Sequence, residues 1–509
     1  MDAFDCKTSQ RPGRFRRFAS TALVIVSCLN SGCQTWQKSH ECAVTEFGEG
    51  DLDSAKTALQ KSQNSIRSEK HLLELDQGIL DLAGGDVGQA ETRFRTIRRE
   101  LEHLEQKDLT EQASSMLTDS RAVAFSGRDF ERRMVLNLAL LTSMVGDGQD
   151  AFAYSLQVAE AAAARRDAIA AAQKPESSSG QIAEQSNEVS PQITSVRYVS
   201  ESTELRAAPF SIAPSSSDQT LALSSYLAAA VQSEQPSRFA ETEKALAEIG
   251  YWNPSYRRRE QAVTPGEFGV RCQAGNGSLH VIAMVGRAPR WVSESAQPTS
   301  AALLIADRII SAAGKHTLPP TIASVKIARP EPYPNLLPAG GLRCKVASSA
   351  ASDKAGPDVV FSTIVDLNEV AQASYSENRD EEIAAVIARR VMKKGAIYVL
   401  KETQKVHRNS LVDLGVNVAG VAWEAMEKPD TRSWRMLPAR IDVAHAELPA
   451  GSWTATFQVS RYQHAGAQMT IPVDIADGRN TYVLCIIPES SLAGQILVGG
   501  ADKAAFAVE

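Results

Sequence analysis

Gly50-Asp51-Leu52-Asp53-Ser54-Ala55 returns after 35 residues as Gly85-Asp86-Val87-Gly88-Gln89-Ala90, and again as Gly146-Asp147-Gly148-Gln149-Asp150-Ala151. Each copy reads as a corner between two helices. Glycine ends one helix, aspartate caps the next, and the small alanine lets that helix approach its neighbour. Leu59 and Phe94, four residues beyond their alanines, then fall on the same buried face. From Glu46 to Ala172 the apolar residues recur at helical spacing with hardly a proline to interrupt them, so this part of the chain is expected to be helical.

A helix–turn–helix unit with a period of about 34–35 residues resembles a tetratricopeptide repeat. The second interval, 61 residues, is neither one repeat nor two, so the array is degenerate, and a plain helical bundle is the other reading of the same turns. Between Gln173 and Thr220 the composition shifts to Ser, Glu, Gln, Ala and Pro, a stretch that cannot bury enough apolar surface to order itself. Helical signal resumes from Leu221 to Ile249, with Phe239 and Leu246 as core candidates, and reads as a fourth, eroded repeat packed back on the array.

Beyond Tyr251-Trp252-Asn253-Pro254 the period changes to that of strands. Leu279, Val281, Ala283 and Val285 alternate up to Gly286, and Ile322 to Ile327 and Val359 to Ile364 read as further strands. Arg329-Pro330-Glu331-Pro332-Tyr333-Pro334 must be extended. Two helices follow. Ile383, Val386, Ile387 and Val391 line one face of the first, and Leu411, Leu414, Val418, Val421 and Ala425 mark the second, Asn409 to Met426. At the end Trp453, Ala455, Phe457 and Val459, then Met469, Ile471, Val473 and Ile475, alternate with polar residues. Pro472 suits an edge strand. Pro449-Ala450-Gly451-Ser452 is expected to turn strand Ile441 to Ala446 back on itself, and Asp477-Gly478 to lead into Tyr482 to Ile487.

The fold class expected is therefore multi-domain α+β: an N-terminal tetratricopeptide-like helical array, then a mixed domain with a helix pair and a C-terminal antiparallel sheet or sandwich. The boundaries are a removed signal over 1–32, repeats over 33–172, a low-complexity linker over 173–220, an eroded repeat over 221–250 and the mixed domain over 251–509.

The signal is Phe18 to Cys33, an apolar run preceded by Arg11, Arg14, Arg16 and Arg17. With about 12 apolar positions it is short of the roughly 20 that span a bilayer. A small residue followed by cysteine resembles the lipobox of bacterial lipoproteins, which implies a diacylglyceryl thioether on the new N-terminus. Gly32 and the longer apolar run favour Cys33, whereas Ile25-Val26-Ser27-Cys28 obeys the aliphatic rule, so Cys28 is the alternative acceptor. A plain secretory signal remains the competing reading. Neither Gln34 nor Leu29, the residues that would follow, is the aspartate that retains such lipoproteins at an inner membrane. The resemblance implies an outer-membrane lipoprotein facing the periplasm.

The 54 basic and 60 acidic residues leave a net charge of -6, which gives no electrostatic footprint for nucleic acid. Cys33, Cys42, Cys272, Cys344 and Cys485 are widely spaced, with no zinc-like pattern, so no metal or other cofactor is expected, and Cys485 in the run Val483 to Ile487 reads as a buried free thiol. The sequence has no nucleophile elbow, HExxH or P-loop, and His280, His445 and His464 have no partner at ligand spacing. No catalytic residue is assigned and no enzyme is expected. The densest polar constellation is Asp430-Thr431-Arg432-Ser433-Trp434, in which Asp430, Arg432 and Trp434 suit either a contact hot spot or a rigid corner joining helix to sheet.

The order of these parts, with Gly277-Ser278-Leu279-His280-Val281 into Gly286-Arg287-Ala288-Pro289 and Asp430 to Trp434 running into Leu437-Pro438, resembles a family of uncharacterised bacterial lipoproteins with a tetratricopeptide-like N-terminal half. The resemblance implies location and architecture only. The function expected is protein binding, by a lipid-anchored cell-envelope scaffold that holds an envelope protein partner through its repeats. The alternative is a cell-wall-binding protein or a regulator of cell-wall synthesis or remodelling, motivated by the envelope address and by Tyr251, Trp252 and Trp291 as exposed aromatics.

Overall fold

The computed structural model describes residues 38–63, 69–115, 125–172, 214–256, 268–313, 323–334, 337–338, 340–349, 355–403, 428–461, 464–489 and 491–500. Cys28, Cys33, most of the low-complexity stretch and the helix expected at Asn409 to Met426 lie outside the described residues.

The helical part is a set of hairpins. A helix over 38–49 (α1) pairs with α2 (Leu52–Gln63), α3 (Lys70–Ala83) with α4 (Val87–Ser115), α5 (Asp129–Val145) with α6 (Ala151–Ala172), and α7 (Thr220–Gln232) with α8 (Phe239–Trp252). The first three turns are the Gly-Asp corners. Gly50 and Gly85 take φ values of +88° and +86°, where a side chain would be strained. The Asp51 and Asp86 carboxylates accept the N–H groups of Ser54 and Gln89 at 3.0 and 3.4 Å. Ala55, Ala90, Leu59 and Phe94 are all fully buried. In the third copy the positive φ moves to Gly148 (+72°), and Asp147 accepts the N–H of Gln149 instead. The 61-residue interval arises because α4 alone is 29 residues long, so the second hairpin outgrows the period.

The strands form three sheets. β1 (Asn276–Val285), β6 (Ser362–Asp366), β7 (Arg440–Pro449), β10 (Asn480–Ile487) and β11 (Leu497–Gly500) make a five-stranded sheet in the order β11-β10-β1-β7-β6. β4 (Leu342–Ser348), β5 (Ala355–Val359), β8 (Gly451–Arg461) and β9 (His464–Ile475) make a four-stranded sheet, β5-β4-β8-β9, with β9 and its Pro472 at the edge. β2 (Arg290–Ala296) and β3 (Val325–Glu331) pair alone, beside α9 (Ser300–Ala313) and α10 (Leu367–Thr403).

Period-two alternation sorts the central strands between two cores. On β1, Leu279, Val281, Ala283 and Val285 face the four-stranded sheet with Phe457, Val459, Val473 and Ile475, whereas Ile282 and Met284 join the helical core. On β10, Val483, Cys485 and Ile487 take the first side and Tyr482, Leu484 and Ile486 the second. The layers are thus helices, five-stranded sheet, four-stranded sheet, and one apolar core runs from the helical hairpins onto the sheet. α7 lies at the centre with all 13 of its residues buried.

Several expectations need correction. β7 and β8 do not form a hairpin: the turn at Pro449–Gly451 carries the chain from one sheet to the other, and the turn at Asp477-Gly478 carries it back. β10 consequently lies parallel to β1, in a sheet otherwise antiparallel. Val359 to Ile364 is two strands, β5 and β6, in different sheets. Extended Arg329-Pro330-Glu331 belongs to β3, and Pro330 stands opposite Trp291. Trp252 and Trp291 are buried rather than exposed, and Tyr251 is only partly exposed, so the two tryptophans offer no surface to a cell wall.

The first two Gly-Asp corners abut the connection between β10 and β11, and β11 itself meets the end of α5 ahead of the third. A Cβ on Gly50 would meet Ser491 Oγ at 3.4 Å, one on Gly85 would meet the Gln495 side chain at 3.0 Å, and Gly499 sits against the backbone of Met144 and Val145 just before the third corner. The Gln495 N–H also donates to the Ala83 carbonyl at 3.0 Å. The first two copies of the turn are therefore docking points for the strand-to-strand connection between β10 and β11.

Candidate functional site

The chain from Asp430 to Met436 crosses from α10's side of the molecule to β7 as an extended corner. Its backbone is tied to the helical array by buried acids. Glu131 Oε1 accepts the Trp434 N–H at 2.8 Å, while its Oε2 accepts the N–H of Arg128 at 2.7 Å, in the reach-back manner of a capping box at the start of α5. Asp76 Oδ1 accepts the Met436 N–H at 3.1 Å, and its other oxygen meets His40 Nε2 at 2.6 Å. Trp434 is buried against Phe94, with ring centroids 6.0 Å apart.

Asp430 and Arg432 close a ring of their own. The Arg432 guanidinium donates to both Asp430 oxygens, at 2.8 and 2.6 Å, and the Arg432 N–H donates to Oδ1 at 3.0 Å. Burial pushes the Asp430 carboxyl up, but the Arg432 hydrogen bonds and charge, with Arg128 behind them, outweigh it and hold the group below the usual carboxylate range. Burial, with the Asp430 charge adding to it, pushes Glu131 up against the opposing pull of Arg128 and the two N–H donors. Arg128 stacks its guanidinium 3.5 Å from the centre of the Trp291 ring. It also donates to the carbonyls of Arg432 and Asp430 at 2.8 and 3.3 Å.

A cleft of about 290 Å³ opens beside this corner, walled by Phe125–Arg128 before α5, Lys326–Ala328 on β3, Glu382, Val386 and Arg389 at helical spacing on α10, and Lys428–Asp430 with Arg432. Of the five cations in the wall, Arg128 is paired with Glu131 and Arg432 with Asp430 and Glu69, so Lys326, Arg389 and Lys428 are the ones that stand against Glu382. Arg128 and Arg432 are held by the fold, whereas Lys326 and Lys428 are exposed at the rim. Burial raises the Glu382 carboxyl, with Arg128 and Arg389 opposing. The arrangement suits an anionic group lying against Arg389 and the rim lysines, with Phe125, Ile327 and Val386 as an apolar floor.

Of the site residues read from sequence, Asp430 and Arg432 line the cleft and Trp434 sits behind it in the core. Tyr333 is a packed connection, covered by the guanidinium groups of Arg287, Arg290 and Arg435. No spacing in the chain marks His280 and His445 as partners, yet they stand directly opposite on β1 and β7, with ring centroids 4.9 Å apart. His280 is fully buried, hydrogen-bonded to Tyr226 Oη at 2.8 Å and Asn480 Oδ1 at 3.2 Å. Burial, reinforced by His445, holds its imidazole neutral, well below its ordinary range. Cys344 and Cys485 are free and buried in the sandwich, and burial pushes the Cys344 thiol up to about 12.

No protein-family profile matches the chain, and comparisons with curated proteins and with solved structures find no significant match either.

Proposed function

We propose that this is a lipid-tethered envelope protein that holds a protein partner without catalysing a reaction, and that the partner presents an acidic segment to the cleft beside Trp434. The observation that carries the reading is the charge of that cleft, with Lys326, Arg389 and Lys428 against Glu382 on walls drawn from four separate segments. A preformed cationic cleft with an apolar floor favours an anionic side chain flanked by apolar ones, and charge complementarity sets which partner docks. Placing the site at the junction rather than on a repeat groove fits the burial of α7 and the docking of the first two Gly-Asp corners on the chain's own β10–β11 connection.

The tether is argued from the lipobox, since no described helix is long and apolar enough to cross a membrane. A diacylglyceryl cysteine provides more than one acyl chain, and one alone binds only marginally. The whole chain is therefore expected in the membrane fraction, and Cys33→Ser, or failing that Cys33→Ser with Cys28→Ser, should release it. A photo-crosslinking residue at Lys326 should give one discrete adduct in whole cells, lost in Arg389→Glu/Lys428→Glu. Membrane binding by the double cysteine variant, or an adduct indifferent to charge reversal, would each overturn the corresponding half of the proposal.

A further inference from the structure

Away from the cleft, three metal-binding side chains converge between the second pair of helices. His71 and Glu74 lie at i and i+3 on α3, so both project from one face, and Glu100 reaches them from α4. One donor atom from each falls within 4.8 Å of the others. His71 Nδ1 and Glu100 Oε2 are 2.9 Å apart. Both atoms are closed off from solvent, yet neither completes an aligned hydrogen bond. The ring nitrogen and the carboxylate oxygen face each other as an ion pair only when the imidazole carries a proton, and a metal cation can take the place of that proton.

We propose that His71, Glu74 and Glu100 bind a divalent transition ion of the zinc class. An imidazole with two carboxylates suits zinc, cobalt or nickel better than magnesium or calcium, which prefer all-oxygen shells. The two carboxylates neutralise the ion. Donors at about 2.0–2.2 Å from zinc lie roughly 3.3–3.6 Å from one another in a tetrahedron, so a small widening of the His71–Glu100 pair admits the metal. A groove of about 520 Å³ lined by Glu74, Gln89, Thr92, Arg93 and Thr96 runs past the Glu74 side of the cluster.

Lys70 is the competitor. Its ammonium lies 3.7 Å from both Glu74 Oε1 and Glu100 Oε1, on a side chain that is 56% exposed and free to swing away. The metal displaces it, so removing that charge should strengthen binding. A merely structural ion-pair network would behave in the opposite way, because it would lose a cation and gain nothing.

The test is titration of the purified full-length chain with Zn²⁺ by calorimetry, and with Co²⁺ by visible absorption. Expected are one saturable site, a loss in His71→Ala and Glu74→Gln at least as large as the about 10–100-fold that outer-shell changes alone can cause, and tighter binding in Lys70→Met. Glu74 is partly exposed, so its substitution leaves the helix packing intact if His71→Ala does not. Saturable binding that is unchanged in Glu74→Gln, binding weakened in Lys70→Met, or no saturable binding at all would overturn the proposal.

Discussion

Replacing Glu131 with alanine is expected to destabilise the protein by about 3–5 kcal/mol, the range for removing one partner of a buried charged pair. The side chain is 2% exposed. Its two oxygens accept N–H groups from Arg128, at the start of α5, and from Trp434, more than 300 residues later in the chain. Alanine would leave both donors buried and unsatisfied, and the Arg128 guanidinium 3.9 Å away without its carboxylate. Glu131→Gln keeps one acceptor oxygen and should fall between wild type and alanine. Asp129→Ala, where the side chain is 72% exposed, should stay within about 0.5 kcal/mol. Chemical denaturation of the three variants checks the order, and an effect of Glu131→Ala no larger than that of Asp129→Ala would remove the corner from the account.

The second large effect is expected at Gly494. It adopts φ +71°, and a Cβ there would lie 1.9 Å from the Ala83 carbonyl oxygen, the same oxygen that accepts the Gln495 N–H. A left-handed conformation costs an L residue about 1–2 kcal/mol, and overpacking against a fixed backbone a further 1–3 kcal/mol, about. Gly494→Ala should therefore lift the β10–β11 connection off the second Gly-Asp corner and lower stability by at least about 2 kcal/mol. Gly88→Ala is the control, since nothing lies within 4 Å of its Cβ position, and it should be neutral or slightly stabilising within a helix. Equal unfolding midpoints for the two variants would contradict the docking.

These two sites show what a single chain discloses and what it hides. The helix–turn–helix corners were legible because Gly50, Asp51 and Ala55 carry local physics: a positive φ, a cap and a close approach. The α+β class was legible for the same reason, since Leu279 to Val285 and Trp453 to Val459 alternate visibly. Strand partners were not. The turns after β7 and β9 look like hairpin turns, and only the apolar faces of two facing sheets decide that the chain changes sheet there. The cleft was least legible of all. Asp430 and Arg432 announce a polar corner, but Arg128, Lys326 and Arg389 come from segments scattered over 260 residues, and no local spacing marks Glu131 as the acceptor for Trp434. Trp252 and Trp291 misled for the converse reason: beside charged or proline-rich neighbours they look exposed, whereas the fold buries both.

The central claim is that the helical hairpins and the β layers form one body, so that the cleft at their junction is a preformed site. A flexible linker between two independent halves would predict otherwise. Native-state hydrogen exchange read by mass spectrometry compares α7 with β1 and β10 directly, because peptides from each report their own opening free energy. The shared core predicts that α7 and the central strands exchange together, through the same slowest opening, and that Glu131→Ala lowers protection in both. Exchange of α7 at fully open rates while β1 and β10 stay protected would contradict the account.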